Sequence, residues 1–118
     1  MATFGIKAFR VADDGSLISV MGRKVVYEVD ELSELRNNYQ LVPCKNGIHF
    51  HVDRRDIFNY YKYHGQNVWH HVEIPEGTEV IHCSDKSVAR RLIVRERLVL
   101  TPADRLNVVT RDAYAIRH

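Results

Sequence analysis

The sequence predicts an α+β fold: a single compact domain of mostly antiparallel or mixed β-sheet, with one main helix at about residues 53–64 and one or two short helices. Three observations carry this. Most segments alternate apolar and polar residues with period two, the mark of half-buried strands. They follow one another in meander order across Gly- and Pro-bearing turns, which favours antiparallel neighbours. One segment, "DRRDIFNYYKYHG", instead carries helix start and stop signals around a helical stripe.

"TFGIKAFRV" (Thr3–Val11) sets Phe4, Ile6 and Ala8 against Gly5, Lys7 and Phe9, a strand pattern. "ADDGSL" follows as a turn, because Asp-Asp-Gly supplies turn chemistry. "LISVM" and "KVVYEV" read as a short strand, or as one strand broken near Gly22. "DELSELRNNY" (Asp30–Tyr39) reads as one or two helical turns, with Asp30 as N-cap and Leu32 and Leu35 on one face. Pro43 ends it, since a residue before proline is biased away from helix.

"GIHFHV" (Gly47–Val52) is a strand with Ile48, Phe50 and Val52 on one face and His49 and His51 on the other. In the main helix Asp53 is the N-cap, Asp56 completes a capping box and Gly65 stops it. Ile57, Tyr60, Tyr61 and His64 form its core stripe. "VWHHVEI" is a strand with Val68, His70, Val72 and Ile74 on one face, and "PEGTE" a turn. "VIHCS" is a short strand or loop edge, and the next segment opens with what reads as a helical turn around Val88. Residues 92–100 form a strand with Leu92, Val94, Glu96 and Leu98 on its apolar face. "TPADRL" opens a short C-terminal helix, with Thr101 as N-cap and Pro102 at its first position.

Residues 1–118 read as one domain, with 101–118 as a C-terminal extension. The chain is 45% hydrophobic and 27% charged, ordinary for a globular domain that needs no disulfide or metal to fold. It shows no secretory signal and no apolar run approaching the ~20 residues of a membrane helix. The expectation is therefore a cytoplasmic protein with no membrane partner, and with Cys44 and Cys83 reduced. Charge is uneven. Residues 1–85 carry 9 Lys/Arg and 12 Asp/Glu, whereas residues 86–118 carry 8 and 3. A basic end on a mildly acidic body suits an anionic partner, with Lys86, Arg90, Arg91, Arg95 and Arg97 as its contact residues.

Six of the seven histidines and both cysteines fall between residues 44 and 83. Their spacing matches no zinc signature, so no metal site is assigned. Cys44 lies just ahead of a Gly turn near histidines, but spacing alone does not supply the base a nucleophile needs. No dinucleotide fingerprint, P-loop, nucleophile elbow or zincin motif occurs.

"PCKNGIHFH" followed by "DIFNYY" resembles an uncharacterised family of short bacteriophage and prophage domains. Its pattern is Cys-Lys-x-Gly-Phe-His, then Asp-x-Phe-Asn-Tyr-Tyr, then Asp-Ser-Lys-Val-Ala and a strand ending near Arg-Glu-Leu. Here Ile48 replaces the Phe and the Lys86-Ser87 order is reversed. The resemblance implies a phage setting, hence the host cell cytoplasm, and no activity. A weaker resemblance is to small ADP-ribosyltransferase-like folds. It implies NAD as cofactor, with Arg10, His49, Tyr60 or Tyr61, and Glu96 as the catalytic set. Val94 stands where those enzymes carry a second Glu or Gln, and no Ser-Thr-Ser strand occurs. The expected function is that of a small accessory protein binding a host protein or nucleic acid, with an NAD-binding enzyme as the alternative.

Overall fold

The computed structural model describes residues 2–20, 24–53, 67–99 and 101–102. Its strands are β1 (Thr3–Val11), β2 (Leu17–Ser19), β3 (Val26–Tyr27), β4 (Leu32–Glu34), β5 (Ile48–Phe50), β6 (Asn67–Ile74), β7 (Val80–His82), β8 (Ser87–Ala89) and β9 (Arg91–Arg97). They make a six-stranded sheet in the order β3-β2-β1-β6-β9-β4 and a three-stranded sheet in the order β5-β8-β7. All strand pairs in both sheets are antiparallel.

This corrects the α+β expectation: the described residues form two antiparallel sheets and an almost entirely β fold. Two segments read as helical turns are strands. Residues 32–34 pair with β9, and the amide of Asp30 donates to Val94 O at 2.7 Å. A helix of two turns is marginal alone, while an unpaired β9 edge would leave its amides without partners. Pairing wins, and Asp30 enters the edge at φ 66. Residues 87–89 form β8, the middle strand of the small sheet, and all three are buried. From residue 54 the expected main helix lies outside the described residues, as does the expected C-terminal helix past Pro102.

The core lies between the sheets. Phe9 of β1, Val68, Val72 and Ile74 of β6, and Leu92 and Val94 of β9 meet Ile48 and Phe50 of β5 and Ala89 of β8. Tyr27 closes one side, its ring 5.1 Å from Phe9 in edge-to-face contact. The opposite face of the large sheet buries Ile6, Ala8, Trp69 and Leu98. Both faces of β1 are therefore filled, and its residues from Gly5 to Phe9 are all buried.

β5 passes unusually close to β1. Ile6 and His51 exchange both backbone hydrogen bonds, at 2.7 and 2.8 Å. Gly5 makes the approach possible, because a Cβ there would sit 2.7 Å from both His51 O and Phe50 Cδ2. A second local feature re-aims β9. Val72 pairs with Val94 but His70 pairs with Arg97, so β9 holds one extra residue in a bulge. The bulge moves Leu98 to the Trp69 side and leaves Glu96 exposed, not on the apolar face with Leu92 and Val94.

Gly5→Ala is expected to lower unfolding free energy by roughly 2 kcal/mol or more, since one methyl collides with backbone and ring together. A urea unfolding midpoint unchanged from the parent would show that β5 does not pass this closely.

Candidate functional site

The residues with chemical potential gather where the small sheet meets the 35–46 loop. Gly47 begins the arrangement. Its φ is 141, and a Cβ there would lie 2.9 Å from Val88 Cβ and 3.3 Å from Leu41 Cδ2. The chain therefore turns tightly into β5 and lays buried Leu41 and Val88 beneath the loop. His49 pairs with Val88 across the strands, so its ring shares that face.

The loop is tightly tied. Val42 and Asn46 exchange backbone bonds at 2.9 and 2.8 Å. The Asn46 amide donates to Tyr39 O and Gln40 O and pairs with the amide of Asn37. At the tip of this turn Cys44 adopts φ 67, and its backbone N–H donates to His49 Nε2 at 2.8 Å. Lys86, in the β7–β8 turn, donates through Nζ to Cys44 Sγ. His51 and His82 anchor the same turn, through Asp85 O and Ser87 Oγ, each at 2.8 Å.

Below this corner Lys7 projects into the inter-sheet core. It is 8% exposed, donates to His49 O at 2.7 Å and lies over the rings of Phe9 and Tyr27. Burial pulls its ammonium down to about 8. His49 is pushed down to about 4, by burial first and then by the charges of Lys7 and Lys86. A neutral ring is also what the geometry requires, because protonation at Nε2 would remove the acceptor of the Cys44 amide. His70, beside Lys7 on the same face, is lowered as well, chiefly by burial, and its Nδ1 lies 2.8 Å from Arg95 O.

Among the described residues, the predicted site residues Arg10, His49 and Glu96 stand on three different strands. Arg10 is exposed near the end of β1, paired with Asn67 and Ile18. Glu96 is exposed at the β9 bulge, and His49 belongs to the small sheet. Tyr60 and Tyr61 lie outside the described residues. Of the basic segment, Arg90 donates to Asn37 O and Tyr39 O and lies 3.7 Å from Glu79. Arg91 donates to Thr78 Oγ1, and Arg95 bridges Asp30 and Glu73 at 3.0 and 3.2 Å. Arg97 is exposed. Among the described residues no three His, Cys, Asp or Glu side chains gather as a metal site.

Sequence reasoning weighed Cys44 and Lys86 separately and missed both their contact and buried Lys7. One signal for Lys7 was present: Phe9 and Lys7 share a strand face whose opposite face is also apolar. The Cys44–Lys86 contact spans 42 residues and leaves no periodic trace.

Residues 6–103 match the model of a family described as a domain of unknown function, DUF7666, and the chain belongs to that family. No curated protein and no solved structure matches it.

The Lys7 shift has a definite sign. Between pH 8 and 10.5 the unfolded chain holds the lysine proton and the native chain does not, so native stability rises with pH across that window. The gain at completion is up to about 3 kcal/mol. Lys7→Met is therefore expected to be at least as stable as the parent at pH 7, with its advantage shrinking towards pH 10.5. Chemical denaturation of both proteins across that range checks it, and a constant difference would contradict it.

Proposed function

We propose that this DUF7666 member is a small accessory protein of bacteriophage type that works by binding a host protein, in the host cytoplasm, at the β4–β9 edge of its large sheet. The likeness of its Cys44–Tyr61 stretch to phage and prophage domains supports the setting. One observation carries the choice of a protein over a nucleic acid: three of the four arginines of the basic segment, Arg90, Arg91 and Arg95, lie beside carboxylates and around exposed apolar side chains. Arg95 is held by Asp30 and Glu73, Arg90 lies beside Glu79, and Arg91 stands across from Glu34. Beside them Val29 is 44% and Leu32 49% exposed. A nucleic-acid surface needs cations that reach phosphates unopposed. Paired charge around apolar residues, on a sheet edge whose outer side pairs with no strand among the described residues, suits a protein strand laid alongside β4.

Among the described residues no helix is long and apolar enough to cross a membrane. The NAD reading requires Arg10, His49 and Glu96 to act on one molecule. No observation of their placement favours it, and NAD is not expected to raise the melting temperature.

Two measurements separate the readings. Affinity capture from host extract should retain a protein on the parent chain and lose it on Leu32→Asp, with both baits equally folded by circular dichroism. Fluorescence anisotropy with single- and double-stranded DNA should show no binding whose affinity falls steeply between 50 and 200 mM salt, on the order of 10³-fold for a dedicated binder. Steep salt-dependent DNA binding weakened by Arg97→Ala would overturn the protein reading.

A further inference from the structure

Cys44 and Lys86 come from turns 42 residues apart, yet the lysine donates directly to the cysteine sulfur. Each partner is held from behind. Cys44 is fixed by the Val42–Asn46 bridge and by its amide bond to His49 Nε2. The backbone carbonyl of Lys86 accepts from the Cys83 amide at 2.8 Å, closing the β7–β8 turn. Cys44 is exposed, so a small solute reaches its sulfur. Cys83, just after β7, is an internal reference. It is also free and exposed, and among the described residues no cation donates to its sulfur.

We propose that Cys44 and Lys86 form a peroxide-responsive covalent clasp, in which a hydroperoxide oxidises Cys44 Sγ and Lys86 Nζ then bonds to it. In the first step the Cys44 thiolate attacks the terminal peroxide oxygen. An S–O bond forms and the O–O bond breaks. Sulfur loses two electrons, the peroxide gains them, and the departing oxyanion takes a proton from the Lys86 ammonium. The products are a sulfenic acid, an alcohol or water, and a neutral amine in contact with the oxidised sulfur. In the second step that amine attacks sulfur. An S–N bond forms, the S–O bond breaks, and hydroxide leaves with the amine proton as water. No further oxidant is consumed. A thiol reductant reverses the bond by attacking sulfur and releasing the lysine amine. The lysine thus acts twice, as a cation placed where charge develops and as the trapping nucleophile. The clasp joins the 42–46 turn to the β7–β8 turn and removes one positive charge from the basic segment.

Treatment of the full chain with hydrogen peroxide, followed by peptide mapping, tests this. The expected product is a Cys44–Lys86 linked peptide pair lacking two hydrogens, reversible by dithiothreitol and formed at least about tenfold faster than any oxidation of Cys83. Lys86→Arg retains a cation but no attacking amine, so it should accumulate a dimedone-trappable sulfenic acid at Cys44 with no linked pair. Lys86→Met should slow Cys44 to the rate of Cys83. In urea, where the contact is lost, the two cysteines of the parent should react alike, which removes any dependence on how the variants fold. Equal rates at Cys44 and Cys83 in the native chain would overturn the proposal. So would a sulfenic acid at Cys44 that persists beside Lys86 without linking.

Discussion

The absence of a side chain at Gly5 lets β5 cross β1 at hydrogen-bond distance, and the paired amide bonds of Ile6 and His51 hold it there. The two sheets meet through that contact. It seats Phe50 over the large sheet, places His49 O within reach of Lys7, and sets the His49 ring beneath the Cys44 turn. A shift of β5 by one residue would reverse every side chain on it, exchanging Ile48 and Phe50 for His49 on the core side. The hydrophobic gain from seating Phe50 and Ile48 is on the order of 2 kcal/mol each, enough to enforce that register.

Electrostatics in this corner follow from burial. Lys7 sits on a carbonyl and two ring faces. A buried ammonium is costly without a carboxylate, and its lowered proton affinity expresses that cost. Burial first, and then the same charge with that of Lys86, keeps His49 neutral. A neutral His49 can accept the Cys44 amide, and that bond helps hold Cys44 in its left-handed conformation against Lys86. Desolvation in the core is thereby linked, through one ring, to the geometry of an exposed thiol.

Much of the strand content was legible. β1, β5 and β6 announce themselves by alternation, and the Asp-Asp-Gly turn forms where its chemistry places it, with Ser16 N donating to Asp14. What was not legible depends on neighbours distant in sequence. Residues 30–39 carry helical signals, yet the open edge of β9 claims 32–34 for pairing. The single-residue bulge in β9 is invisible to a period-two count and moves Glu96 out to solvent. Arginines counted as one basic run go to separate partners, because loop carbonyls, a threonine hydroxyl and carboxylates from four other segments surround them. For the site the contrast is sharper. Cys44, His49 and Lys86 drew notice and Lys7 did not, and a contact between Cys44 and Lys86 is a property of the folded chain alone.

Native-state amide hydrogen exchange at Ile6 and His51 tests the central dependence most directly. If the contact between β5 and β1 holds the two sheets as one unit, both amides open only with global unfolding, at the same free energy as the β1–β6 amides. Exchange of His51 and the small sheet at a markedly lower opening energy, with β1–β6 still protected, would show that the small sheet docks as a separable layer and would contradict the account.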